Sequence, residues 1–166
     1  MSVSQTELET LKTKVIEAFD NITYPKGFIT EHKCEECFGV RKAFLNRDWK
    51  QITPKILQEN YDKLPLFSPE AFHCFLPAYL VYSLENFAAD DVCAFVVYGL
   101  MIRKDAEQES TEFQKRRFEN FTRMELGIVS EFIDLAIQCG EYDIFIKNLE
   151  RGKKMLEDNF EAKLKF

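Results

Sequence analysis

Residues 68–84 read SPEAFHCFLPAYLVYSL, and no other stretch limits the possible folds as strongly. Ser68 is a good helix N-cap, because its hydroxyl can accept from an orphan N–H of the first turn. Pro69 follows at the first helical position, where its missing N–H costs nothing. Glu70 places a negative charge on the positive end of the helix dipole. From Ala71 onward almost every side of the helix is apolar, and such a helix must be buried all round. Pro77 removes the bond to the carbonyl of His73, which predicts a kink. A chain built on such a rod folds by wrapping other helices around it.

Those other helices are visible in the spacing of apolar residues. Leu8, Leu11, Val15, Ile16 and Phe19 recur at helical intervals behind a cap at Ser4 or Thr6. Residues 21–33 form a loop marked by Asn21, Pro25 and Gly27, whose apolar members Ile22, Tyr24, Phe28 and Ile29 place it against the core, with room for a short strand-like piece. Cys34, Cys37, Phe38, Arg41, Phe44 and Leu45 outline a second helix, and Trp49 is a core anchor. Thr53 and Pro54 repeat the cap-then-proline start, and Pro65 stops that third helix. Asp90 or Asp91 caps a fifth helix running to about Lys104. Residues 105–114 are polar and read as flexible, before a short sixth helix at Phe113, Arg117, Phe118 and Phe121. Thr122 and Glu125 form a capping box for a seventh, ended by Gly140 at C′. A last helix from about Tyr142 buries Ile144, Phe145, Leu149, Leu156 and Phe160. The expectation is an all-α, single-domain bundle over residues 1–166, with about seven or eight helices. Its centre is the buried, Pro-kinked hairpin of the fourth and fifth helices, residues 71–102.

Charge and cysteine usage narrow the function classes. The formal net charge is −6, which argues against a broad basic surface for nucleic acid. The pairs Arg103–Lys104, Arg116–Arg117 and Lys153–Lys154 are scattered and read as solvated helix surface. No apolar run reaches the roughly 18 residues a membrane helix needs. Five cysteines, an odd number, with no export signal in the first residues predict a reducing cytoplasm and mostly free thiols.

The combination of Cys34-Glu35-Glu36-Cys37, Trp49, the run LPLFSPEAFHCFLPAYLVYSL at 64–84 and a capped helix after Phe118–Phe121 resembles a bacterial family of small helical domains of unknown function. The resemblance spans roughly residues 30–135, on the scale of one domain. It implies an all-helical fold and a bacterial source, and supplies no activity.

The segment His32-Lys33-Cys34-Glu35-Glu36-Cys37 carries the strongest chemical signal. Thiols at i and i+3 share one helix face. Such a pair can fill two corners of a tetrahedral zinc site, with His32 as a third ligand and His73 or Cys74 as a fourth. The same thiols could instead cycle through a disulfide, since a cysteine at a helix N-terminus is acidified. They could also be packed as small apolar groups. No nucleotide, phosphate-loop, nucleophile-elbow or HExxH motif is present. The sequence therefore predicts a non-enzymatic protein-binding module without a cofactor. One role of that class is an immunity-type protein that neutralises a basic toxin. The alternative is a metal- or thiol-dependent protein using the His32, Cys34, Cys37 cluster, with zinc as the implied metal.

Overall fold

A computed structural model describes residues 2–165. Among the described residues the chain forms eight α-helices and no strand: α1 Gln5–Ala18, α2 Glu35–Phe44, α3 Pro54–Glu59, α4 Pro69–Glu85, α5 Asp91–Leu100, α6 Gln108–Arg117, α7 Arg123–Gln138 and α8 Ile146–Ala162. Short 3₁₀ turns cover Trp49–Gln51, Leu64–Leu66 and Asp143–Phe145. Helix α4 is the axis. It passes through Pro77 as one helix, and Ala71, Phe72, Cys74 to Leu80 and Tyr82 to Leu84 are buried along it. Helices α1 and α5 pack most extensively against it, and α7 and α8 complete the bundle. Among the described residues no helix is long and apolar enough to cross a membrane.

Caps fix where the helices start. Ser4, Thr53, Ser68, Asp90 and Thr122 each accept from a first-turn N–H. Thr122 and Glu125 form the expected capping box, and Gly140, at φ +82°, takes the left-handed position after α7. The buried tyrosines of α4 have the partners their hydroxyls need. Tyr79 donates to the carbonyl of Asn60 at 2.8 Å, and Tyr82 accepts from Gln58 at 2.8 Å. Trp49 donates to the carbonyl of Phe19 at 2.9 Å and is buried.

Several local expectations are corrected by packing. Helix α5 ends at Leu100 rather than near Lys104, because α8 crosses its end. A Cβ on Gly152 would stand 2.0 Å from the Leu100 carbonyl oxygen, and the Ile102 N–H is claimed by the carbonyl of Asn148 at 3.0 Å. Residues 108–114, expected to be flexible, belong to α6. Arg117, expected on a solvated face, is buried at 1% exposure. Its guanidinium lies 3.8 Å from the ring centre of Phe72 and donates to Gln114 at 2.8 Å and to the Leu64 carbonyl at 3.2 Å. Those bonds draw α6 onto the bundle. Burial pushes the guanidinium down to about 9. Arg116 does face solvent and pairs with Glu31 at 2.7 Å. Ile144 is 86% exposed because it sits in the 3₁₀ turn before α8, outside the buried stripe.

The close approach at Gly152 makes opposite predictions for two glycines. Gly152→Ala has no room beside Leu100 and should destabilise the fold by about 1–3 kcal/mol, the usual range for overpacking. Gly127→Ala, in α7 with nothing near its added methyl, should stabilise it by about 0.5–1 kcal/mol through helix propensity. Urea unfolding of both variants measures the two signs directly.

Candidate thiol site

The loop before α2 is tied to the start of α4. Glu70 Oε2 accepts from the backbone N–H groups of Lys26 and Gly27, each at 3.1 Å. Ser68 Oγ donates to the Phe28 carbonyl at 2.6 Å, and the Ser68 N–H donates to the Ile29 carbonyl at 2.8 Å. One antiparallel bridge joins Thr30 and Phe67, which is all of the strand-like piece the loop forms. Further along, Arg41 Nη1 donates to Thr30 Oγ1 at 3.3 Å and to the His32 carbonyl at 3.4 Å. The polypeptide is thus held on both sides just before Cys34.

Helix α2 is aimed by Phe44. Its ring meets those of Phe67 and Phe75 at centroid distances of 4.9 Å each. The buried face is Cys37, Val40 and Phe44, spaced at three and four. Phe38 and Leu45, expected on that face, are exposed at 61% and 56%. The other expectation corrected here is Phe28, which is 75% exposed instead of lying on the core.

Cys34 is the N-cap of α2, and its Sγ accepts from the Cys37 N–H at 3.3 Å. Cys37 is fully buried, while Cys34 is half-buried and His32 exposed. The ligand atoms of His32, Cys34 and Cys37 all lie within 4.8 Å of one another. Environment separates the two thiols. The Cys37 N–H, followed by hydrogen bonds from the His32 and Cys37 side chains, brings Cys34 from 9.0 down to about 7. Burial, followed by the neighbouring Cys34 sulfur, pushes Cys37 upward. One thiol is therefore half-exposed and readily ionised, and its neighbour is enclosed and protonated.

His73 and Cys74 are not part of this group. His73 Nε2 lies 2.8 Å from Glu125 Oε2, its ring packs beside those of Phe19 and Phe121, and the pair joins α4 to the start of α7. Glu125 is itself buried, and the same oxygen accepts from the Thr122 N–H at 2.7 Å. Cys74 is packed in the core, where burial raises its thiol to about 12. Three of the five candidate ligands named from the sequence thus come together. Sequence reasoning missed Thr30 and Arg41 as supports of the thiol segment, and Glu125 as the partner that holds His73 elsewhere. Only Glu125 left a signal, and its capping box had already explained it.

The acidity of Cys34 can be measured by its alkylation rate. With iodoacetamide the rate should rise as pH passes through about 7 rather than 9.0. The thiol is more acidic folded than unfolded. Its ionisation thus favours the folded state above pH 9, and the advantage fades as pH falls to about 7. At pH 7, unfolding in urea should slow alkylation at Cys34 about tenfold, as the thiolate fraction collapses.

No curated protein and no solved structure matches the chain. The family described as "Family of unknown function (DUF6714)" matches residues 8–149, which takes in both the thiol segment and the axial helix. That span is most of the 166 residues, and the chain belongs to this family.

Proposed function

We propose that this chain is a dithiol protein that exchanges Cys34 and Cys37 with the disulfides of other molecules. The observation that carries the reading is the asymmetry of the pair. Cys34 caps α2, half-exposed and acidic, three residues before a buried, protonated Cys37. A thiol whose pKa lies near ambient pH is the best placed to attack a disulfide. The Cys34 thiolate attacks one sulfur of the incoming disulfide, forming a mixed disulfide and breaking the original S–S bond. The released sulfur takes up a proton. Cys37 then gives up its proton, attacks Cys34 Sγ and releases the second substrate thiol. Two electrons and two protons pass from the protein to the substrate. The nearby His32 ring, within 4.8 Å of the sulfur, favours the thiolate in the first step.

The same three side chains offer one nitrogen and two sulfurs for zinc, with the fourth corner open. Elemental analysis and stoichiometry separate the two uses. Protein purified without added metal should hold less than stoichiometric zinc. Mixed with oxidised glutathione, each chain should release two glutathione thiols, and Cys37→Ser should stop after one, as a mixed disulfide at residue 34. One zinc per chain, lost in Cys34→Ser, would replace the dithiol reading with the metal one.

A protein-binding role is supported by the exposed Phe28 and Phe38, which flank Cys34. The net charge of −6 suits a basic partner, and an immunity-type protein against such a toxin remains the concrete form of that reading. Its association rate should then fall with salt. A reducing bacterial cytoplasm, which would keep both thiols free, fits either use.

A further inference from the structure

Beside Cys34 runs an open groove of about 650 Å³. Phe28 and Phe38 stand in its lining at 75% and 61% exposure, the one from the loop and the other from α2. Lys33, Arg41 and Glu31 also line it. Glu31 is neutralised by Arg116 at 2.7 Å. Lys33 and Arg41 form no ion pair among the described residues, although Arg41 donates to Thr30 and to the His32 carbonyl. The groove thus combines a reactive sulfur, two bare aromatic rings and two unneutralised cations, on a chain whose net charge is −6.

We infer that this groove is the substrate subsite of the thiol centre and takes a disulfide-bonded cysteine of a partner polypeptide, with an apolar side chain and a carboxylate close to that cysteine. The inference rests on the dithiol reading and adds the substrate class to it. Cys34 requires the occupant to carry an electrophilic sulfur. Phe28 and Phe38 gain only if apolar surface covers them, which a small polar disulfide does not offer. Lys33 and Arg41 complement a carboxylate and disfavour a second cation. Glu35, also in the lining and in the first turn of α2, has no ion pair among the described residues, so the two free cations face one free carboxylate and the groove keeps an excess of positive charge over its unpaired acid side chain.

The test uses the reduced full-length chain and three short peptides. Their central cysteine is flanked by phenylalanine and glutamate, by phenylalanine and lysine, or by glycine on both sides. Each peptide is activated as a mixed disulfide with a coloured aromatic thiol, and release of colour gives the rate of attack. The phenylalanine–glutamate peptide should react about tenfold faster than the glycine peptide, a difference that burying part of a phenyl ring supplies. The double variant Phe28→Ser/Phe38→Ser should remove that advantage, bringing the phenylalanine–glutamate peptide down to about the rate of the glycine peptide. Lys33→Glu should reverse the preference between glutamate and lysine. Equal rates for all three peptides, with Cys34 still reacting, would overturn the subsite and leave the dithiol centre standing. So would oxidised glutathione reacting as fast as the best peptide. No reaction of Cys34 with any disulfide would instead remove the dithiol reading itself, and the subsite with it.

Discussion

The start of α4 holds the rest together. A helix N-terminus has unpaired N–H groups and a positive dipole, and most proteins satisfy both with a single cap. Here the residues of that cap also reach outward. Ser68 caps Ala71 and donates to the Phe28 carbonyl, while Glu70 gathers two N–H groups of the preceding loop. The most buried helix of the bundle thereby fixes the path of residues 26–30. That path leads directly to His32 and Cys34. A loop that would otherwise be free to wander enters the thiol site already oriented.

The asymmetry of the two thiols follows from the same architecture. Phe44 locks α2 against Phe67 and Phe75, which turns Cys37 inward and leaves Cys34 at the helix end. Desolvation then acts on one sulfur, and the backbone N–H of the helix start acts on the other. A CxxC pair of this kind is best known after a strand in a βαβ unit. Here a capped helix and an anchored loop supply the same two ingredients in an all-helical frame.

Much of this frame is legible in the sequence because local rules govern it. Hydroxyl caps, prolines at first positions and the apolar sweep of residues 71–84 each have one physical reading, and the structure has the helices they predict. Illegible features depended on residues far apart in the chain. Arg117 looks like surface until the carbonyl of Leu64 and the ring of Phe72 are brought to it. The end of α5 is set by Gly152, more than fifty residues later. Phe38 fits a core face by its spacing and Phe28 by being an apolar member of its loop, and only the placement of the loop and the rotation of α2 leave them bare. For the site, the thiol segment was apparent from spacing. The absence of His73 and Cys74 from it was not, since each is claimed by a different part of α4's surroundings.

The most direct test of the central claim is an equilibrium titration of the full chain in glutathione redox buffers, with free thiols trapped and mapped by mass spectrometry. Cys34 and Cys37 should lose their thiols together in one two-electron transition, closing a disulfide between them. Cys74, Cys93 and Cys139, which are buried or half-buried, should stay reduced throughout. Oxidation of Cys34 to a glutathione adduct that never closes onto Cys37 would contradict the account. Indiscriminate oxidation of all five cysteines would contradict it equally.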